Sequence, residues 1–339
     1  MPDVPLELTR EQILAFRRRA GALDERLPRG TRSLRQAAWA GLTDSVPRAA
    51  LLSIHARVEG TQPSTWEDRS LVHVWGPRHS TYLVPARDRG IFTLARLPDD
   101  ARRRGRAEDM AARVHAYLKG RRLPDGLVQR ELGIGNAIKY AAPTGTVLIR
   151  WDGARSPTVW TVPAPEIDPL DARRELVRRY VHILGPATPT AFATWAGIGE
   201  REARATFDGL SKSLAPVRTP IGDGWILARD EPLFREPPGR TGAARLLPSG
   251  DTYFLFWGAG RELLVPDAAR RAELWTTRVW PGAVLVAGEI VGTWRRAQAE
   301  VSIQAWRRLG RAEREAVEAE ARSLPLPGVE SEISVSWNS

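Results

Sequence analysis

The stretch Ala38-Trp39-Ala40-Gly41-Leu42-Thr43-Asp44-Ser45-Val46-Pro47-Arg48-Ala49-Ala50-Leu51-Leu52-Ser53-Ile54-His55-Ala56-Arg57 decides how the rest of the chain is read. Its apolar start runs through Gly41-Leu42 into three oxygen-bearing side chains, and Pro47 follows at a position where a helix tolerates the loss of an N–H. Ala50, Leu51, Ile54 and Val58 recur at helical spacing, which predicts a helix over 47–58 with one buried face. The triplet Thr43-Asp44-Ser45 therefore stands at a helix start between two buried elements. Oxygens at such a place cap the orphan N–H groups of the first turn. The residues by themselves leave capping and chemistry both open.

Upstream, Thr9 is expected to begin a helix with Ile13, Leu14 and Phe16 inward and Arg17-Arg18-Arg19 on a solvated face, and a second helix covers 34–42. Downstream, 71–85 reads as two strands broken at Gly76-Pro77. Helix, helix, helix and hairpin is the winged-helix order. It recurs as helices at 106–119, 125–132 and 136–141 with a ribbon over 146–162 turning at Asp152-Gly153. A third round has helices at 171–184, 189–195 and 200–214 and a ribbon over 217–228. Gly197-Ile198-Gly199 between two short helices is the clearest helix-turn-helix signal.

Prolines and glycines mark a linker over 229–242. Strands at 253–257, 283–286, 289–294 and 300–306 and a solvated helix at 311–323 follow, and a small barrel is their natural packing. The expected fold class is α+β, with tandem winged-helix (helix-turn-helix) units at residues 1–100, 101–165 and 166–230 and a small C-terminal β-barrel with its terminal helix at residues 243–330.

With 339 residues the chain is long enough for several cores. Its 50 basic against 40 acidic residues, a net charge of +10, favour a polyanionic partner, nucleic acid before membrane. Arginine runs at 102–104, 121–122, 173–174 and 178–179 read as solvated faces, several of which together make phosphate contacts. The absence of cysteine excludes disulfides, thiolate metal sites and a cysteine nucleophile. The five histidines show no metal-binding spacing, so neither a metal nor a cofactor is expected. No apolar run approaches a membrane span and no signal segment is visible, so the expected location is the cytoplasm, at the nucleoid.

Residues 41–57, together with Trp75-Gly76-Pro77-Arg78-His79-Ser80-Thr81-Tyr82-Leu83-Val84-Pro85, resemble the AlkZ/YcaQ family of winged-helix bacterial DNA glycosylases. Leu246-Leu247-Pro248-Ser249-Gly250-Asp251-Thr252-Tyr253 and the hairpin over 288–294 extend the resemblance across residues 38–324. It implies that the triplet carries the chemistry. The family has Gln-apolar-Gln or Gln-apolar-Asp there, so both glutamine positions are changed in this chain.

The implied activity is monofunctional hydrolysis of the N-glycosidic bond of a bulky N7-alkylguanine adduct in double-stranded DNA, as self-resistance to a DNA-alkylating natural product. Asp44, the one acid of the triplet, would stabilise the cationic sugar, while Thr43 and Ser45 hold water or the deoxyribose. Arg78, His79, Ser80 and Tyr82 resemble the family's Arg-Gly-Thr-Leu-His strand, with His79 for its glycine and Tyr82 for its histidine. Arg48, then Trp151 and Arg155 at the Asp152-Gly153 tip, and Asp251 and Tyr253 complete the expected DNA-binding or substrate-binding set. Asp251 and Tyr253 fit a strand cap and a barrel wall equally well. A monomer is expected. The alternative is a non-catalytic winged-helix regulator, which would prefer one operator sequence and dimerise to match it.

Overall fold

The structure, a computed structural model, describes residues 5–46, 48–151, 156–239 and 241–338. Pro47, Asp152, Gly153 and Arg155 lie outside that set. In chain order the first part comprises β1 (Leu6–Glu7), α1 (Arg10–Ala20), α2 (Thr31–Ala37), β2 (Leu42–Thr43), α3 (Ala49–His55), β3 (Leu71–Trp75), β4 (Thr81–Pro85) and α4 (Arg89–Leu94). Next come α5 (Ala101–Leu118), β5 (Leu123–Pro124), α6 (Asp125–Leu132), a 3₁₀ stretch (Gly135–Thr144), β6 (Val147–Arg150) and β7 (Thr158–Thr161). A third part holds α7 (Pro169–Leu184), α8 (Pro189–Ala196), α9 (Glu200–Asp208), β8 (Leu214–Thr219), β9 (Gly222–Leu227) and α10 (Glu231–Arg235). The last has β10 (Ala244–Leu247), α11 (Gly260–Leu264), α12 (Ala268–Leu274), β11 (Gly282–Val286), β12 (Glu289–Ala297), β13 (Glu300–Ala305), α13 (Arg311–Arg322) and β14 (Ser334–Asn338).

Helices begin where a side chain supplies the missing acceptor. Thr9 and Gln12 form a reciprocal capping box at α1, Asp100 caps α5, and Asp168 and Thr188 cap α7 and α8, each just before a proline.

The first three parts repeat one arrangement. A short strand precedes two helical segments and a hairpin, and pairs with the hairpin's second strand, giving the orders β2-β4-β3 and β5-β7-β6. In the third part an isolated bridge from Ala187 to Trp225 of β9 holds the short strand's place, and β1 adds on β8 to give β1-β8-β9. The molecule is thus of mixed α+β class. Its C-terminal sheet, β10-β11-β12-β13-β14, corrects the barrel expectation: among the described residues the outer strands do not pair with each other, and the sheet stays open. Val317 and Ala321 of α13 cover one of its faces together with Leu246, Val284 and Val301, so that face is buried without closure. The strand expected at 253–257 is a 3₁₀ turn, because the Asp251 side chain accepts the Tyr253 N–H.

Of the arginines expected on solvated faces, Arg17, Arg18, Arg173 and Arg179 are a second correction. Arg17 is only 2% exposed and donates to the Leu184 and Gly185 carbonyls, while Arg18 donates to Asp24 and Gly288. Arg173 forks onto Asp99 and Arg179 bonds Asp88 and the Trp39 carbonyl. Apart from Asp24, these acceptors lie far away in sequence, beyond the reach of helical periodicity. The expected linker is partly packed too: Phe234 of α10 stacks on Phe16 of α1 at 3.8 Å between centroids.

One buried histidine makes stability depend on acid. Burial, with the Arg26 and Arg245 guanidiniums, lowers the His55 pKa from 6.5 to about 3. Glu320, 3.9 Å from the ring, is taken up by Arg26 at 2.7 Å. The unfolded chain therefore protonates first, so the contribution is complete above about pH 6.5 and is lost as pH falls toward 3. Melting temperature should drop between pH 7 and pH 5, and His55→Gln should flatten that slope; an unchanged slope would assign it to other groups.

Candidate active site

Strand register distributes the triplet. Leu42 pairs with Leu83 and Thr43 with Tyr82, while Leu83 pairs with His73 on its other side. Alternation then puts Asp44 on the His73 face and Thr43 on the opposite one. The Asp44 backbone N–H continues the ladder to the Thr81 carbonyl at 2.8 Å.

Asp44 is 2% exposed, and both carboxylate oxygens are engaged: Oδ2 with His73 Nε2 at 2.9 Å, and Oδ1 with the Ala50 N–H at 3.0 Å in the first turn of α3. The expectation of an acid open to a sugar needs correcting here. The side chain is closed in because the start of α3 needs an acceptor and His73 points at the same spot. Thr43 turns the other way, and its hydroxyl donates to the Gly250 carbonyl at 2.7 Å. Gly250 has φ +73°, and a Cβ there would meet Thr43 Oγ1 at 2.9 Å, so only glycine suits the contact. Ser45 alone of the three is exposed.

A cation–aromatic wall stands beside the triplet. Arg48, with φ +66°, lies 3.6 Å over the Trp66 ring and donates to the Trp151 carbonyl. Arg150, ion-paired with Glu67, lies 4.5 Å over the same ring, and Trp66 is 6.0 Å from His73. Arg48 and Trp151, distant in sequence, are thus brought together next to the triplet. Trp66 and His73 were missed; the signal for His73 was a polar residue at an inward position between Leu71 and Trp75.

Arg78 and His79 form the tight left-handed turn between β3 and β4, with φ of 55° and 56°. Arg78 bonds the Thr194 carbonyl and approaches Trp257, and its backbone comes so close to Gly197 that a Cβ there would sit 3.1 Å away. Ser80 is half-buried on the same turn. Tyr82 is buried, packs edge-on toward Trp195, and burial raises its pKa. Asp251 is 1% exposed: Arg57 forks onto its two oxygens at 2.7 Å each and Ser53 adds 2.6 Å. Tyr253 is buried as well, with its phenol pushed up to about 12. Tyr82, Asp251 and Tyr253 therefore face the interior, and the expectation that they meet DNA is corrected by their packing.

Among the described residues no group of three His, Cys, Asp or Glu is placed to hold a metal ion, and no helix is long and apolar enough to cross a membrane. The chain is similar in structure to Streptomyces sahachiroi DNA glycosylase AlkZ, with a TM-score of 0.79 and 19% identity, covering 98% of this chain and 100% of that one. At that identity the likeness establishes the fold. A family model, DNA glycosylase AlkZ-like, matches residues 36–325, which takes in the triplet, the three repeated units and most of the C-terminal sheet. The protein is therefore an enzyme of the DNA glycosylase class, and DNA is its substrate. It belongs to the AlkZ-like family. No curated protein matches it by sequence.

Proposed function

We propose that this enzyme hydrolyses the N-glycosidic bond of bulky N7-alkylguanine adducts in double-stranded DNA, acting as a monomer at the nucleoid, with its chemistry at Thr43-Asp44-Ser45. The observation that carries the reading is the setting of the triplet at the end of β2, with one anion behind the exposed Ser45 hydroxyl and the Arg48–Trp66–Arg150 wall beside it. A guanine alkylated at N7 is cationic in place and leaves as a neutral base, so little acid catalysis is needed. What the site must supply is negative potential for the sugar and an oriented water. Asp44 provides the first from behind the surface and Ser45, both donor and acceptor, the second. Among the described residues none of the three lysines bonds the triplet, in keeping with hydrolysis in place of a Schiff-base step. We read the three repeated units as tandem winged helices that present basic faces to the duplex, within the division at residues 1–100, 101–165, 166–230 and 243–330.

The closing-in of Asp44 favours a second reading of the site, in which Asp44 only positions His73 and α3. The substrate reading is tested with duplexes carrying either N7-methylguanine or a bulky, intercalated N7 adduct. Base release should be at least about tenfold faster from the second, the equivalent of roughly 1.4 kcal/mol in the barrier. Equal rates remove the preference for bulk, and release from neither removes the N7-guanine assignment.

A further inference from the structure

Across the β3–β4 turn from the triplet lies a cleft of about 550 Å³ that the activity as described does not use. It is bounded by α5, the 3₁₀ stretch before β6, and the His79 end of the turn. Its lining is unbalanced in charge: Arg96, Arg103, Arg106 and Arg113 contribute guanidiniums against the single carboxylate of Asp109, and none of the four is ion-paired among the described residues. Among the described residues Arg96, which is buried, bonds only the Trp75 and Ala196 carbonyls, leaving its charge without an acidic partner in the wall. On the opposite side Tyr140 is 51% exposed, an unusual state for a large aromatic ring, with His79 edge-on to it at 5.1 Å.

The His79 imidazole leans on the Lys139 backbone, yet its Nδ1 is buried without a hydrogen-bond partner. Burial, Arg96 and Lys139 lower its pKa to about 4, so at neutral pH the ring carries one donor and one acceptor. Fixed positive potential, a half-exposed aromatic ring with Lys139 Nζ 5.8 Å over it, and a neutral imidazole in the wall are together what a nucleotide offers partners for.

We propose that this cleft receives an unstacked nucleotide of the bound DNA, its base against Tyr140, its edge at His79 and its flanking phosphates on Arg103 and Arg106. The inference rests on DNA as substrate and not on which lesion is removed. The cleft is joined to the triplet through the chain, because Thr81, whose carbonyl accepts the Asp44 N–H, is two residues beyond His79. The nucleotide comes either from the lesion position or from the position opposite it.

Two duplexes separate those sources: one carries 2-aminopurine opposite a tetrahydrofuran abasic analogue, the other 2-aminopurine at the lesion position in a mismatch. Binding should change 2-aminopurine emission in one of the two, which names the source. Tyr140→Ala, a change at an exposed ring that leaves the fold intact, should weaken binding of that duplex about tenfold and abolish the emission change, whereas Tyr140→Phe keeps both. Arg103→Ala with Arg106→Ala should reduce the salt slope by about 0.9 for each phosphate released. An emission change in neither duplex, one that survives Tyr140→Ala, or unchanged affinity in that variant overturns the proposal. Loss of base release with these binding signals intact bears on the triplet and leaves the cleft standing.

Discussion

The Asp44→Asn enzyme is expected to fold, bind DNA and release base about 10²–10³-fold more slowly than the parent. The amide keeps an oxygen for the Ala50 N–H at the start of α3 and can face His73 with the imidazole in its other tautomer, so the packing survives while the charge does not. Asp44→Ala does more: it strands the Ala50 N–H and the His73 donor in the interior, each at a cost of about 1–3 kcal/mol. Comparing the two variants separates charge from support. If the Asn form releases base at the parental rate, the Asp44 charge has no part in the reaction and the exposed Ser45 hydroxyl takes over the assignment. If both variants lose activity only in proportion to lost folded protein, the role of Asp44 is confined to packing.

A comparable effect on stability is expected at Asp251. Its oxygens collect Arg57 twice, Ser53 and the Tyr253 N–H, all buried, so that the segment just after β10 is tied to α3 and the residues that follow it. Removing one partner of such a pair leaves an uncompensated charge inside and costs about 3–5 kcal/mol. Asp251→Ala should therefore lower the melting temperature by about 4–7 °C, at roughly 1.4 °C per kcal/mol for a chain of this length. Arg57→Met together with Asp251→Leu should recover much of that loss, since replacing both charges removes the orphan. A single variant that melts with the parent would mean that water reaches the site and the pair carries little. Base release is expected to fall along with stability, because Thr43 is held through Gly250, the neighbour of Asp251.

What was legible in the sequence is whatever local chemistry encodes. Thr9 with Gln12, Asp168 before Pro169 and Thr188 before Pro189 announce their helices, and the apolar alternation over 71–85 announces β3 and β4. The two-residue strands β1, β2 and β5 were illegible, since a strand that short is made by its partner and not by its own composition. Arg17 and Arg179 read as solvent-facing for the same kind of reason: a helix pattern says which residues share a face, and here the carbonyls that take in the guanidiniums come from 140 or more residues away. The triplet was found correctly as a place but not as a set of exposures, because alternation across β2 sends Thr43 and Asp44 to opposite sides of one small sheet. Arg96 and Tyr140 carried no signal beyond composition, and only the approach of α5 to the 3₁₀ stretch makes a cleft of them.

The setting of α1 bears on how the molecule is assembled in time. Its partners, the Leu184 and Gly185 carbonyls, Phe234, Gly288 and Glu289, all belong to the later half of the chain. During synthesis the helix emerges long before any of them and has nothing to dock on until most of the polypeptide has left the ribosome. α1 is thus made before these partners and seated only after them, and it fastens the third sheet to the C-terminal one like a clasp. Removing α1 would loosen the C-terminal sheet.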